Sequence, residues 1–173
     1  MADVFLVGLP NSGKSSLLHR LTKANVEGKE YPFSTHSPVI GVYEYEDYKQ
    51  ISFCELPSLY EGSLEGKGLG MDFLKHLTRA RYIIFMVDVH SKYAPGLRDG
   101  LAILKKIVYE KGAVPANIPT LVLINKADEV QEAEQPTEEI RNLSEPYFLI
   151  SVKTGEGVES FLDFLKERLE RTD

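Results

Sequence analysis

The sequence of 173 residues contains a single cysteine, so no disulfide framework holds the chain together. Cys54 sits between Phe53 and Glu55 in an apolar run, which predicts a buried small hydrophobe and not a reactive thiol. No stretch of about 18 apolar residues exists, which excludes a membrane-spanning helix. The N-terminus shows no charged segment followed by an apolar one, so no secretory signal is expected and a reducing cytoplasm is the expected compartment. A basic excess is missing too. With a net charge of −6, no autonomous DNA binding is expected, because neutralising a phosphate backbone takes clustered cations. Lys75, His76 and Arg79, with Arg81 just beyond, read as a solvated helix face. Internal repeats are absent as well.

What the sequence does contain is a series of short apolar runs rich in β-branched residues: DVFLVGL, PVIGVYEYE, QISFCEL, RYIIFMVD, PTLVLIN and PYFLIS. Between most of them lie helical patterns, at Lys14 to Ala24, Met71 to Thr78, Gly96 to Lys111 and Val158 to Arg171. Alternation of this kind predicts a mostly parallel sheet covered on both faces. Only EDYK separates the second and third runs, too little for a parallel crossover, so these two predict an antiparallel hairpin at a sheet edge. The expected fold is a six-stranded α/β three-layer sandwich with one antiparallel edge strand, in one domain over residues 1–173. The acidic stretch Glu129 to Glu139 reads as a surface loop entering a short helix.

After the first run, Gly8-Leu9-Pro10-Asn11-Ser12-Gly13-Lys14-Ser15 fits G-x-x-x-x-G-K-[ST] at every fixed position, with Ser16 continuing into the helix. A polyphosphate is held most economically by backbone N–H groups curled at a helix N-terminus, and Gly8 and Gly13 permit that curl. Lys14 then reaches the β- and γ-phosphates, and the Ser15 hydroxyl ligates Mg²⁺.

The cradle does not choose the base. Asn125-Lys126-Ala127-Asp128 follows the apolar run PTLVLI, and so stands at the C-terminal end of a strand, where open α/β sheets bind ligands. Guanine offers two adjacent donors that a single carboxylate accepts, which suits Asp128. Adenine lacks the pair, so GTP or GDP is the expected ligand. Asn125 is placed to bond the base or to brace the cradle, and the Lys126 stem to lie against the purine face. Ser151-Val152-Lys153 follows the last strand, where a backbone N–H meets the guanine O6.

Together these stretches resemble the Obg family of translational P-loop GTPases over nearly the whole chain. ADVFLVGLPNSGKSSLL resembles its phosphate loop, YPFSTHSPVIGV its first switch, LYEGSLEGKGLGMDFLKHLTRARYIIFMVD its second switch and the elements after it, and NKAD with SVKTGEGV its base-reading set. The resemblance implies a Ras-like G domain, slow GTP hydrolysis, a glycine-rich loop responsive to nucleotide, and association with ribosomal particles or a GTPase activator. It places Phe33 beside the nucleotide and Thr35 as a second Mg²⁺ ligand, closing on the γ-phosphate. Obg proteins also carry an N-terminal glycine-rich domain, and many a C-terminal one. Neither is present in this sequence, which fits an excised GTPase domain or a lone member.

The second switch departs from the D-x-x-G of such GTPases, reading Glu55-Leu56-Pro57-Ser58. Glu55 keeps the charge that holds Mg²⁺, one methylene further out. Ser58 keeps the N–H that meets the γ-phosphate, but where the GTP-bound form needs a φ above zero there, a non-glycine residue is strained and the grip on GTP is weakened. Leu59 stands where many small GTPases have a water-orienting glutamine, and the segment Asn25 to Pro38 holds no arginine. Hydrolysis is therefore expected at or below roughly 10⁻⁴ to 10⁻³ per second. Asn11 is a candidate K⁺ ligand, which would make it catalytic alongside Lys14 and Thr35. Two alternatives stand beside this reading: a guanine-nucleotide module or scaffold with negligible hydrolysis, favoured by Glu55 and Ser58, and a P-loop kinase, whose arginine-rich acceptor lid the sequence does not show.

Overall fold

The structure is a computed structural model that describes residues 2–22, 38–46, 48–60, 69–90, 94, 96–112, 114–130 and 137–171. Its elements follow the chain as β1 Val4–Gly8, α1 Lys14–Thr22, β2 Val39–Glu46, β3 Lys49–Glu55, a 3₁₀ helix Leu69–Arg79, β4 Tyr82–Asp88, α2 Leu97–Lys106, β5 Thr120–Asn125, α3 Thr137–Arg141, β6 Tyr147–Leu149 and α4 Val158–Glu170. The six strands form one sheet in the order β2-β3-β1-β4-β5-β6. Only β2 and β3 are antiparallel, as the short EDYK spacer requires. β2 ends at Glu46 with its apolar run, β3 begins one residue before its own, at Lys49, and Tyr48 turns the hairpin at φ 68.

The central apolar runs become strands because they bury both faces. Along β1, Phe5 and Val7 enter one core and Val4 and Leu6 the other. Along β4, Ile83, Phe85 and Val87 alternate in the same way with Ile84 and Met86. The first core is closed by the 3₁₀ helix and α2 through Leu74, Leu77, Leu97, Leu101 and Leu104. The second is closed by α1 and α4 through Leu17, Leu18, Leu21, Phe161 and Leu165. Cys54 is buried in the first core as expected, and burial beside Glu55 pushes its thiol up to about 11.

Two expected helices differ in pitch. The segment read as a helix from Met71 to Thr78 is a 3₁₀ helix over Leu69–Arg79. Its three residues per turn stack Leu74 over Leu77 into the core and leave Lys75, His76, Thr78 and Arg79 exposed. The basic group is thus a solvated face, with His76 stacked on Phe73. The segment Gly96 to Lys111 is α-helical to Lys106 and widens into a π turn over Ile107–Lys111, which keeps Ile107 and Val108 buried. The sheet aligns the C-terminal ends of β1, β4 and β5 side by side, with Gly8 opposite Met86 and Asp88 opposite Asn125.

Candidate functional site

The Gly8–Ser15 loop joins β1 to α1 through a set of close approaches. A Cβ on Gly8 would lie 2.6 Å from the Met86 carbonyl oxygen and from Ser12 Oγ. Gly13 has φ +99, and a Cβ there would lie 2.2 Å from Asn125 Nδ2. Asn11 adopts φ 60 at the exposed crest, while Pro10 and Ser12 are buried below it. Ser15 and Ser16 are exposed on the first turn of α1. Ser12 Oγ is buried without a hydrogen-bond partner among the described residues.

Lys14 folds back over this loop and is itself buried. Its ammonium donates to Gly8 O at 3.3 Å, Leu9 O at 3.2 Å and Ser58 Oγ at 2.9 Å. Burial lowers its pKa from 10.5 to about 8, against the opposing pull of Glu55. In the unfolded chain the lysine titrates near 10.5, so between pH 8 and 10.5 the unfolded state binds more protons, and the ligand-free fold gains stability as pH rises through that window. Below about pH 8 both states are charged and the full cost of the buried ammonium is present. A polyanion against Lys14 raises its pKa, so nucleotide binding at about pH 9 is expected to take up a proton. Calorimetry in two buffers of different ionisation enthalpy checks this, and uptake should vanish near pH 6.5.

The altered second switch docks on the same loop. Ser15 Oγ donates to Glu55 Oε1 at 2.5 Å, Leu56 N donates to Leu6 O at 3.1 Å, and Leu59 N donates to Gly8 O at 3.0 Å. Glu55 is buried, and its extra methylene brings the carboxylate to the Ser15 hydroxyl. Ser58 lies outside the left-handed region in this arrangement, and the strain expected of it belongs to a GTP-bound form. Leu59 is wholly buried in the first core. Phe33, Thr35 and the glycine-rich segment after Glu61 lie outside the described residues.

A hydroxyl and a carboxylate converging beside the cradle form a hard-oxygen pair of the kind that suits Mg²⁺, which takes few protein ligands and completes its shell with phosphate and water. Among the described residues no cluster of three or more His, Cys, Asp or Glu side chains forms a self-sufficient metal cage.

On the base side, Asn125 does the bracing. Its Nδ2 donates to Ser12 O at 2.9 Å, and its Oδ1 accepts from Val152 N at 3.0 Å. Ala127 N donates to Ile150 O, which joins the two base loops. Lys126 takes φ 64, and the 3₁₀ turn Ala127–Glu129 after it presents Asp128, exposed and unpaired among the described residues. The Ser151 and Val152 amides, two of the candidates to meet the base, are already engaged by Glu156 O and Asn125 Oδ1. Thr154, Gly155 and Glu156 donate within the loop, which leaves Lys153 N as the amide without an acceptor among the described residues.

Two participants escaped the sequence reading. Arg20 of α1 donates to Val152 O at 3.0 Å and Thr154 O at 3.4 Å, tying the phosphate helix to the base loop. Asp88 ends β4 opposite Asn125 and accepts from Lys126 Nζ at 3.3 Å. A charged residue closing an otherwise apolar run beside the binding edge was the available signal for Asp88; nothing in the spacing marks Arg20.

Residues 3–126 match the 50S ribosome-binding GTPase family. GTPase Obg of Dehalococcoides mccartyi is 40% identical over 172 residues, and GTPase Obg of Deinococcus radiodurans 36% over 177 residues. The chain belongs to the Obg family of P-loop GTPases. Each alignment covers 98% of this chain and 40% of the relative, so the chain spans less than half the length of these Obg proteins. Among solved structures, Era in complex with MgGDPNP and a segment of 16S ribosomal RNA superposes with a TM-score of 0.74 at 26% identity, covering 96% of this chain and 56% of that one. The Ras-like G-domain architecture is shared with it. No helix among the described residues of this Obg-family chain is long and apolar enough to cross a membrane.

Proposed function

We propose that this Obg-family domain is a Mg²⁺-dependent guanine-nucleotide switch that hydrolyses GTP slowly and rests in its diphosphate-bound form. The observation that carries the reading is the Asn125 bridge, which makes the cradle of Ser12 and the base loop of Val152 a single unit. A phosphate chain on Gly8, Pro10, Asn11, Ser12, Gly13, Lys14, Ser15 and Ser16 then places its purine at Asn125, Lys126 and Asp128, with Ser151, Val152 and Lys153 beside it.

Ser15, Glu55 and Thr35 are the residues that would hold Mg²⁺, which when bound neutralises charge on the β- and γ-phosphates. Hydrolysis breaks the bond from the bridging oxygen to the γ-phosphorus by in-line attack of water. The chain contributes backbone donors and the Lys14 ammonium, both fixed before the reaction and therefore favourable to developing charge. Leu59 cannot orient the water from inside the core, which is why the rate is expected to be low. Phosphate release under excess GTP, compared with Lys14→Ala, tests the enzyme reading. A rate equal to the control favours the second reading, a binding module with negligible hydrolysis.

Ser58 sets the resting state. Its hydroxyl holds Lys14 at 2.9 Å, and a γ-phosphate must take that donor from it. A hydrogen bond to a charged group is worth about 1.5–3 kcal/mol, or roughly 10- to 100-fold. Ser58→Ala is expected to raise affinity for a non-hydrolysable GTP analogue relative to GDP by about 10-fold. A rise with Ser58→Gly alone would locate the effect in the backbone, and no rise with either would remove it.

Asn11, exposed at φ 60 above the loop, is proposed to offer its amide oxygen to K⁺ between the phosphates. Exchange of K⁺ for Na⁺ is then expected to slow turnover by ~10-fold, and an unchanged rate disposes of the role. Family membership and the RNA-bound Era structure support a ribosomal particle as partner, tested by co-sedimentation with ribosomal subunits in GDP and GTP-analogue states.

A further inference from the structure

We propose that Asp88 is a positioning residue for base recognition, holding Lys126 so that its methylene stem forms a fixed wall beside Asp128. The inference rests on the guanine reading of that site and adds to it a residue from a different strand. Asp88 closes β4 and pairs in register with Asn125, the first residue of the base motif. Its side chain is 2% exposed, and a carboxylate so buried is stable only with partners for both oxygens. His90 N donates to Oδ1 at 2.9 Å, and Lys126 Nζ donates to Oδ2 at 3.3 Å.

The Lys126 side chain is 29% exposed, so without Asp88 its ammonium has water available and no reason to lie along the protein. With Asp88 both ends of the side chain are fixed. The backbone end is held at φ 64 between strand and turn, with Ala127 N donating to Ile150 O at 3.1 Å and Glu129 N to Lys126 O at 2.9 Å. The left-handed conformation disfavours a residue with a side chain and persists where surrounding contacts over-determine it. Here it reverses the chain so that Asp128 follows at once on the 3₁₀ turn. The ammonium end is held by a carboxylate anchored in the sheet. The stem between them is a short apolar rail, and a purine whose edge meets Asp128 lies along it. Asp88 touches no nucleotide atom in this scheme and acts through Lys126.

The test compares a ligand that has a base with one that has none. Titrations of GDP and of pyrophosphate, both with Mg²⁺, are made on the native protein, Asp88→Ala, Lys126→Ala and the double variant. Asp88→Ala is expected to weaken GDP by about 10-fold and pyrophosphate by less than about 2-fold, and to have little further effect once Lys126 is alanine. Equal losses for GDP and pyrophosphate, or single effects that multiply in the double variant, overturn the proposal. Asp88→Asn keeps an acceptor for His90 N and serves if the alanine variant does not fold; GDP affinity equal to native in Asp88→Asn also counts against it. If the native protein itself shows no preference for GDP over ADP, the guanine reading fails and takes this one with it, whereas a retained preference with an inert Asp88 sinks the positioning role alone.

Discussion

Asn125→Ala is expected to lower GDP affinity by 100-fold or more and to destabilise the ligand-free fold. The side chain is buried and serves two backbone groups that have no alternative: Ser12 O receives its Nδ2 at 2.9 Å, and Val152 N reaches its Oδ1 at 3.0 Å. Alanine leaves a carbonyl and an amide unsatisfied in the interior, each costing about 1–3 kcal/mol. The loss falls on the ligand as well as on the fold, because the bridge sets the separation between cradle and base reader. Pyrophosphate binding should therefore weaken along with GDP binding, unlike the case of Asp88→Ala. Gly13 packs against the same amide, where an added Cβ would lie 2.2 Å from Nδ2. Titration of both ligands and thermal unfolding check the prediction, and a loss of GDP affinity below about 3-fold would mean the two loops hold their spacing without the bridge.

Asp128→Asn is expected to invert base selectivity while leaving stability within about 0.5 kcal/mol, since the side chain is exposed and unpaired among the described residues. The carboxylate accepts from both guanine donors. An asparagine has one acceptor and one donor group, so its amide faces the 2-amino group donor to donor. Xanthine carries a carbonyl at that position and accepts from the amide while N1–H still donates. GDP should weaken by about 100-fold or more, and xanthosine diphosphate should become the tighter ligand. Parallel loss of both, with unfolding at lower temperature, would assign Asp128 a structural role.

Much of the sheet was legible because a parallel strand buried on both faces must be a near-continuous apolar run, as in Ile83 to Val87. The hairpin was legible from loop length alone. Helix pitch was not, because Leu74 and Leu77, three residues apart, satisfy a 3₁₀ stripe and an α-helical one equally. The phosphate loop and base motif were legible because their chemistry fixes residue types at short spacing. Arg20 and Asp88 act across 132 and 38 residues of sequence, and only folding brings them to their partners. Ser58 was legible as a departure from the family pattern, but only part of its physical consequence was. The sequence pointed to strain in φ on GTP binding, and the structure adds a hydroxyl that holds Lys14.

The proposed function requires that one surface hold a phosphate chain at Lys14 and a guanine at Asp128, joined through Asn125. Calorimetric titration of the native protein with GDP and with ADP, each with Mg²⁺ at neutral pH, measures this directly. GDP should bind at least about 1,000-fold more tightly, since ADP leaves the Asp128 carboxylate without its donor pair. Equal affinities for the two nucleotides would contradict it.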